Sequence, residues 1–251
     1  MQLSFGSLFA GIGGFDLGFE RAGMVCKWQV EIDDYANRIL EKHWPKVRRW
    51  RDVRTWPQPD TERVDVICGG LPCQDVSTAG CREGVGGERS GLYVEMLRTV
   101  RDLRPAFAVI ENVSGLLSDG LATVLRDLDE CGYDSEWEVI TACAFGAPHT
   151  RRRVFIVAYP HGDGSQGVFR WVAQKRRETV LFESCDTPQR RKWQQLPQPI
   201  FCRSSDGIPS RVDKTRCLGN AVVPQAAEYV GRLIVESYKR MKANAPVAEA
   251  N

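Results

Sequence analysis

Short apolar runs alternate with stretches of helical spacing along the first 160 residues, and this alternation limits the possible folds most. The pattern predicts strands at residues 3–9, 28–33, 63–70, 107–113, 136–144 and 152–159. It predicts helices at residues 15–23, 92–105 and 121–133. Strands that alternate with helices are typical of a parallel, doubly wound sheet, because each helix crosses over one sheet face. The sequence therefore predicts an α/β protein with a Rossmann-like sheet.

The alternation ends after Tyr159, and the composition changes there. Residues 160–210 are rich in Pro, Gly, Gln and Arg. They contain eight basic and five acidic residues, so their excess of positive charge is larger than the net charge of +2 of the whole chain. Helical spacing returns at 220–241. We therefore predict one domain from 1–159 and 211–241, a small irregular region at 160–210, and a disordered tail at 242–251.

Composition excludes several classes of protein. The chain has 251 residues, of which 43% are hydrophobic and 26% charged, as in ordinary globular proteins. No apolar run is long enough to cross a bilayer, and the N-terminus lacks the basic start and apolar core of a signal peptide. The nine cysteines form no CxxC pair, which favours reduced thiols in the cytoplasm over disulfides or a zinc site. We expect no membrane segment and no metal.

A glycine-rich turn follows the first predicted strand. In FAGIGGFDLG, Gly11, Gly13 and Gly14 let a ligand approach the backbone beside a helix N-terminus. The dinucleotide fingerprint requires a further glycine where Asp16 stands, which argues against NAD. Glu31 follows Gly11 by 20 residues, where a carboxylate would accept hydrogen bonds from a ribose. The turn predicts a nucleoside-bearing cofactor; the alternative is a tight turn without a ligand.

Cys73 follows the strand RVDVICGG within GGLPCQDVSTAG. It therefore lies at the carboxyl end of a strand, where open α/β sheets place their active sites. The alternative is burial, since free cysteine is among the most buried residue types, and Cys68 within the strand is expected to be a core residue. Residues 79–91 contain five glycines, which suits a mobile loop over a site.

Five motifs, in order, resemble those of the cytosine-5 DNA methyltransferases along almost the full chain. They are FAGIGG, PCQDVS, ENV at 111–113, HTRRR at 149–153 and GNAVVP at 219–224. The resemblance implies a class I methyltransferase sheet with a small, irregular recognition domain at 160–210. It also implies transfer of a methyl group from S-adenosylmethionine to C5 of cytosine in a specific sequence of double-stranded DNA, leaving S-adenosylhomocysteine.

The resemblance assigns catalytic roles that the chemistry requires. Cys73 would be the thiolate that adds to C6 of cytosine and makes C5 nucleophilic. Glu111 would share a proton with N3 of the base, and Arg153, with Arg151 nearby, would stabilise negative charge at O2. The target base would be flipped out of the duplex. Taken alone, Glu111 would be a surface carboxylate and HTRRR a solvated basic patch.

The resemblance further implies a cofactor pocket, formed by Phe9, Gly11, Gly13, Glu31, Ile32, Asp52, Val53, Pro72, Leu92, Asn220 and Ala221. The residues expected to contact DNA are Gln74, Ser77, Arg176, Arg177, Arg190, Arg191 and Lys192, whose arginines and lysine lie in 160–210 among glutamines and tryptophans. We expect a monomeric bacterial or phage-type enzyme that associates with DNA in the cytoplasm.

Three other functions remain open at this point. The first is methylation of cytosine in tRNA, although the Cys-Phe-Thr tripeptide of that branch is absent. The second is a DNA-binding relative without catalysis, against which the presence of Cys73 and Glu111 argues. The third is a cysteine hydrolase, for which none of His43, His149 and His161 is an evident base.

Overall fold

The computed structural model of the protein describes residues 2–56, 61–71, 91–118, 120–147, 149–162, 168–169, 217 and 219–244. The strands of this part are β1 (Ser4–Leu8), β2 (Val25–Val30), β3 (Arg48–Trp50), β4 (Val66–Gly70), β5 (Phe107–Val113), β6 (Tyr133–Thr141) and β7 (Arg152–Pro160). The α-helices are α1 (Gly14–Arg21), α2 (Asp34–His43), α3 (Leu92–Leu103), α4 (Leu121–Glu130) and α5 (Pro224–Asn244). Single 3-10 turns lie at Val53–Thr55, Ser114–Leu117 and Ala142–Phe145.

The strands form one sheet in the order β3-β2-β1-β4-β5-β7-β6. The first five strands in this order are parallel, as the alternation with helices predicts. β7 is antiparallel to both β5 and β6, so the prediction of a wholly parallel sheet is wrong at this end. The reason is the connection at 142–151, which contains one 3-10 turn. It is shorter than the crossover that two parallel strands need.

Helices cover both faces of the sheet. On one face, α3 and α4 pack through Met96, Val100, Val124 and Leu128 against alternate residues of the strands. On the other face, α1 and α5 form the second layer of the core. Because both faces are buried, β5 is a continuous apolar run up to Ile110, which is why the sequence alone predicts its bounds. The α/β, doubly wound fold class is confirmed.

Two elements are absent from the sequence predictions. The first is α2, whose N-cap Asp33 accepts a hydrogen bond through its side chain from the backbone N–H of Ala36. β3 has three residues at an edge of the sheet and is too short for a periodic signal. At the other end of the chain, α5 continues to Asn244, past the predicted start of the tail at 242.

Cys26, Cys68 and Cys131 have free thiols, and Cys68 is a fully buried core residue as predicted.

Neither a membrane-spanning helix nor a cluster of metal ligands occurs among the described residues. None of their helices combines the length and the hydropathy needed to cross a membrane. Nor do three or more of their His, Cys, Asp or Glu side chains come together as metal ligands would.

Candidate active site

A cavity of about 580 Å³ opens at the edge of the sheet where β1, β2, β4 and β5 end. Four groups of residues line it. They are the glycine turn with Phe9, Ala10, Gly11 and Phe15; the residues after β2 and β3 with Val30, Glu31, Ile32, Asp33, Ala36, Arg51, Asp52, Val53 and Arg54; the central strands and α3 with Gly70, Leu71, Leu92, Glu111, Val113 and Arg153; and the segment before α5 with Cys217, Asn220, Ala221 and Val222.

The glycine turn brings backbone to the cavity and starts α1. Phe9 and Gly11 have positive φ angles of 53° and 55°, and Gly13, the N-cap of α1, has a φ of 86°. Phe9 and Gly11 line the cavity. A side chain at Gly13 would lie 2.4 Å from the Trp44 ring, so this glycine permits close packing on the other side of the turn.

Glu31 is held in the cavity wall by backbone donors. Its Oε2 accepts a hydrogen bond from the N–H of Gly11 at 2.7 Å, and its Oε1 accepts one from the N–H of Asp33 at 2.8 Å. The residue is only 9% exposed. Each carboxylate oxygen has a second lone pair, so the fixed carboxylate can accept two further hydrogen bonds from a pair of ribose hydroxyls.

The loop after β3 forms the wall opposite the glycine turn. Asp52 caps the 3-10 turn by accepting from the N–H of Arg54 at 3.0 Å, and it also pairs with the guanidinium of Arg54. Val53 is buried, whereas the cavity-lining side chain of Ile32 is 60% exposed. An exposed aliphatic side chain in a cavity offers an apolar surface for a flat ring.

The segment before α5 forms part of the cavity wall. Asn220 and Ala221 lie in the wall, and the thiol of Cys217 lies 3.9 Å from Oδ1 of Asp33. Arg151 donates from Nη2 to the carbonyl oxygen of Ala221 at 2.8 Å. This hydrogen bond links the HTRRR motif to the GNAVVP motif, so Arg151 positions the segment before α5.

Glu111 and Arg153 face each other in the wall of the cavity. β7 runs antiparallel to β5, so that Val113 pairs with Arg153, and the start of β7 lies beside the end of β5. Arg153 Nε lies 3.0 Å from Glu111 Oε1 in an ion pair, although its direction is not that of a hydrogen bond. Gly70 is the neighbour of Glu111 on β4, and a Cβ there would lie 3.3 Å from Glu111 Oε2.

Burial raises the pKa of Glu111 from 4.5 to about 7, because an ionised carboxylate loses its hydration at this depth. The positive charges of Arg153 and Arg151 oppose this shift without cancelling it. Near neutral pH the carboxyl group therefore exchanges a proton readily. This is the property that a general acid or base requires at physiological pH.

The structure brings most of the predicted site residues to one cavity. Phe9, Gly11, Glu31, Ile32, Asp52, Val53, Leu92, Asn220 and Ala221 line it together with Glu111 and Arg153. Gly13 and Arg151 lie next to it, with the packing and positioning contacts described above. The other predicted residues lie outside the described part of the chain; they are Cys73, Pro72, Gln74, Ser77, Arg176, Arg177, Arg190, Arg191 and Lys192.

Sequence reasoning missed several residues of the wall. Arg51 and Arg54 flank Asp52 in a region to which no element was assigned. Asp33 was detectable as the start of a helix, since an N-cap aspartate followed by helical spacing is a recognised signal. Cys217 has no such signal.

The wall suits a nucleoside-bearing cofactor. It combines a fixed carboxylate at Glu31, an exposed apolar side chain at Ile32 and a glycine turn where the backbone is accessible. The volume lies in the range of ordinary small-molecule sites. The chemistry of these groups therefore fits S-adenosylmethionine, with its ribose, adenine and amino-acid portions.

Comparison with known proteins identifies the family. The family model for C-5 cytosine-specific DNA methylases matches residues 3–194. This match includes the glycine turn, the Cys73 segment, Glu111 and the arginine motif. The chain belongs to the C-5 cytosine-specific DNA methylase family, which confirms the resemblance of its motifs.

Bacterial relatives are similar to this chain in sequence, and a solved structure is similar to it in fold. Type II methyltransferase M.FnuDI of Fusobacterium nucleatum is 34% identical over 157 residues, which are 61% of this chain and 46% of that protein. Type II methyltransferase M.NgoFVII of Neisseria gonorrhoeae is 31% identical over 256 residues, covering 96% of this chain and 67% of the relative. The S. pombe Dnmt2 methyltransferase structure superposes with a TM-score of 0.61 at 16% identity, covering 95% of this chain and 99% of that one. An identity this low bears on the fold alone.

The chain is shorter than many of these relatives. Its matched part amounts to 46% of M.FnuDI and to 40% of Type II methyltransferase M.BsuFI of Bacillus subtilis, so it spans about half of the length of these relatives.

Proposed function

We propose that this protein transfers a methyl group from S-adenosylmethionine to C5 of cytosine within a specific sequence of double-stranded DNA. The observation that carries the proposal is the meeting of Glu111 and Arg153 in the wall of the cavity that also contains Glu31. A proton-exchanging carboxyl group and a cation beside a nucleoside site are what methylation at C5 of a cytosine requires.

The cofactor would occupy the cavity between the glycine turn and the loop after β3. Glu31 would accept hydrogen bonds from the ribose hydroxyls, and Ile32 with Val53 would contact the adenine. Asn220 and Ala221 would border the amino-acid portion. When bound, S-adenosylmethionine supplies an electrophilic methyl group, and leaves as S-adenosylhomocysteine.

Glu111 would protonate and orient the cytosine. With a pKa of about 7, a large fraction of its carboxyl group carries a proton at neutral pH and can donate it towards N3 of the base. Arg153, held 3.0 Å from Glu111, would stabilise the negative charge that develops at O2. Arg151 would act on Ala221 rather than on the base.

Cys73 would supply the nucleophile. It follows Leu71 by two residues, and the N–H of Leu71 donates to the carbonyl of Glu111, so the chain leaves β4 beside the acid–base group. Its thiolate would form a bond to C6, and electron density would move to C5. After C5 has accepted the methyl group and lost its proton to a base, the bond between sulfur and C6 would break.

The DNA would bind across this edge of the sheet with the cytosine flipped out of the duplex. Gln74 and Ser77 would contact it near the nucleophile, and residues 160–210 would read the sequence. We place the reaction in the cytoplasm of a bacterium, with the protein acting as a monomer.

Duplex DNA that carries 5-fluorocytosine at the target tests this proposal, because fluorine cannot leave C5 as a proton does. The wild type should form a covalent adduct in the presence of S-adenosylmethionine, and Cys73→Ser should form none. Glu111→Gln should keep its affinity for cofactor and DNA in calorimetry while its single-turnover rate falls by about 10²- to 10⁴-fold. An adduct with Cys73→Ser, or a Glu111→Gln rate within a few-fold of wild type, would contradict the assigned roles.

A further inference from the structure

The 3-10 turn Val53–Thr55 carries the part of the cavity wall that faces the proposed adenine site. Its N-cap Asp52 lines the cavity together with Val53 and Arg54. The turn has three residues and follows β3, which lies at an edge of the sheet. A single helical turn of this length is not stable by itself. Contacts with other elements must therefore fix its position.

Arg98 of α3 binds the C-terminal end of this turn. Its Nη2 donates to the carbonyl oxygen of Val53 at 2.9 Å and also to the carbonyl oxygen of Trp56. The carbonyl of Val53 accepts in addition the N–H of Trp56 at 3.2 Å, which is the hydrogen bond that closes the turn. A basic side chain at the carbonyl end of a helix satisfies its free oxygens and complements its dipole. Arg98 thus caps the turn from a neighbouring element.

Two carboxylates of α3 hold the Arg98 side chain in this direction. Its Nε donates to Oε2 of Glu95 at 2.7 Å, and its Nη1 donates to Oδ2 of Asp102 at 3.4 Å. These carboxylates lie about one helical turn before and after Arg98, where side chains on a helix meet. The guanidinium is planar and rigid, so fixing Nε and Nη1 also fixes the direction of Nη2. The donor is therefore aimed at the two carbonyls before any cofactor binds.

Apolar packing anchors the same segment but does not orient it. The Trp56 side chain is buried, and its ring centroid lies 4.4 Å from that of Trp28. Met96 and Val100 of α3 belong to the same core cluster. The hydrophobic effect is not directional, whereas hydrogen bonds from a fixed guanidinium are. The orientation of the turn therefore depends on Arg98.

The cavity is in contact with the turn and not with Arg98. Asp52, Val53 and Arg54 line it, whereas Arg98 lies behind them on α3 and reaches only their backbone side. Any effect of Arg98 on a ligand must therefore pass through the turn. Glu111 and Arg153 lie on other elements, β5 and β7, so the acid–base pair does not depend on this contact.

We infer that Arg98 is a positioning residue for cofactor binding, which holds the Val53–Thr55 turn against the adenosine portion of S-adenosylmethionine. The inference rests on the proposed cofactor. Without the guanidinium, the carbonyls of Val53 and Trp56 lose their donor, and the turn no longer keeps one orientation. The loss then falls on binding of the adenosine portion and leaves the methyl-transfer step unchanged.

Calorimetric titration of S-adenosylhomocysteine and of 5′-methylthioadenosine into wild type and Arg98→Met tests this inference. The two ligands share the adenosine portion, and the second lacks the amino-acid portion. Methionine keeps an aliphatic stem of similar length and removes the donors. We expect both dissociation constants to increase by about tenfold, the order expected for loss of a hydrogen bond from a charged donor. A loss confined to S-adenosylhomocysteine, or one below about threefold for both ligands, would overturn the inference.

Steady-state kinetics at saturating DNA separate positioning from a loss of folded protein. In Arg98→Met the KM for S-adenosylmethionine should increase by about tenfold, while kcat stays within about twofold of wild type. A purely structural role removes active molecules, which lowers kcat and leaves KM unchanged. That second pattern would also overturn the inference.

Arg126→Met is the matched control. Arg126 lies on α4, which packs against the same face of the sheet as α3, and it forms ion pairs with Asp127 and Glu130 of its own helix. The substitution removes the same charge and the same donors away from the cavity. Both dissociation constants and KM should equal those of wild type. An equal weakening in Arg126→Met would show that the effect does not depend on the turn, and would overturn the inference.

Arg98→Lys provides a second, milder test. Lysine keeps the positive charge, but its single ammonium group cannot reproduce the fork that joins two carboxylates to two carbonyls. We expect both dissociation constants to increase by about threefold, between wild type and Arg98→Met. Wild-type affinities in Arg98→Lys would overturn the inference even if Arg98→Met fails to fold.

These results also separate the inference from the proposed function. If neither ligand binds wild type or Arg126→Met, the proposed cofactor is wrong, and the inference is overturned with it. If both bind and their affinities do not respond to Arg98, the cofactor stands and only the inference is wrong.

Discussion

A buried carboxyl group such as that of Glu111 lowers the stability of the folded protein whenever it is ionised. Its pKa is about 7 in the folded protein against 4.5 for an exposed glutamate, so the folded state binds the proton more tightly. Stability is therefore fully present below pH 4.5 and decreases as the pH rises to about 7. The shift corresponds to a loss of roughly 3 kcal/mol at pH 8.

Glu111→Gln should remove this loss, because the amide stays neutral at every pH. We expect the variant to exceed wild type in free energy of unfolding by roughly 3 kcal/mol at pH 8 and by less than about 1 kcal/mol at pH 5. Denaturant unfolding at both pH values measures the difference. A variant that is equally stable at pH 8, or that gains as much at pH 5, would show that the pKa of Glu111 is not raised.

Gly13 and Gly23 allow backbone strain to be separated from steric overlap. Both have positive φ angles, 86° and 90°. A Cβ at Gly13 would lie 2.4 Å from the Trp44 ring, whereas nothing lies within 4 Å of one at Gly23. Each substitution to alanine should cost about 1 kcal/mol from the backbone.

Gly13→Ala should lose a further 1–3 kcal/mol or so, because the Trp44 ring must move. It should also weaken cofactor binding, since Gly11 belongs to the same turn. Thermal unfolding of Gly13→Ala and of Gly23→Ala, the control, measures the difference. Equal losses in the two variants would show that the contact with Trp44 is unimportant.

The pair of helices α1 and α5 is packed through glycine. A Cβ at Gly18 would lie 2.5 Å from the Cβ of Ala227, and one at Gly231 would lie 2.9 Å from the Cβ of Ala22. A Cβ at Gly14, the first residue of α1, would lie 2.3 Å from the carbonyl oxygen of Val222. The separation of the two helices therefore sets the position of the cavity wall that precedes α5.

Gly18→Ala should push α5 away from α1. Alanine favours an isolated helix by about 1 kcal/mol over glycine, yet we expect net destabilisation by about 1–3 kcal/mol here. Weaker binding of S-adenosylmethionine should accompany it, as Asn220 and Ala221 shift. Leu17→Ala, at a partly exposed neighbouring position, is the control for a change within α1 and should keep cofactor affinity. A Gly18→Ala variant more stable than wild type would contradict this packing.

The sequence predicts elements well where one physical signal dominates. β5 is apolar on both faces, and α3 has clear helical spacing followed by Pro105, so both were located closely. β3 has three residues, of which two are arginines, and offers no such signal. The direction of β7 depends on the short connection from β6. The alternation of strands and helices along the sequence does not predict it.

The site follows the same rule. Glu31 and Glu111 are detectable because Glu31 directly follows β2 and Glu111 lies near the carboxyl end of β5, and both reach the cavity. The position of Arg153 beside Glu111 depends on the register of β5 and β7, which no local pattern encodes. The resemblance implies a catalytic role for Arg151 beside Arg153, and in the structure its side chain donates to the carbonyl of Ala221 in the last motif.

At the scale of the whole molecule, we predict that residues 160–210 carry DNA sequence recognition. The segment holds an excess of basic residues, eight against five acidic ones. Arg176, Arg177, Arg190, Arg191 and Lys192, all outside the described residues, should be replaced singly by alanine. Loss of a phosphate contact should reduce the slope of log affinity against log salt by about one for every DNA sequence. Loss of a base contact should change which cytosine is methylated.

Lys42→Ala is the control, since Lys42 is an exposed base near the end of α2. It should keep both the salt dependence and the methylated site, as measured by bisulfite sequencing. If all five variants behave like Lys42→Ala, recognition lies elsewhere, most simply in the glycine-rich residues 79–91.

The antiparallel direction of β7 has a consequence for chimeras in which the predicted recognition segment is replaced by that of another family member. β7 starts at Arg152, whose neighbour Arg153 lines the cavity, and it ends eight residues later at Pro160, beside the start of β6 at the edge of the sheet. The chain returns to the cavity wall at Cys217. Nine extended residues are about 30 Å long, so Pro160 and Cys217 lie near opposite ends of the strands. A recognition segment transplanted from another family member should therefore keep Val168 and Phe169, which are buried in the core beyond Pro160, and its second junction, before Cys217, lies at the cavity wall. Chimeras should be screened at the second junction first.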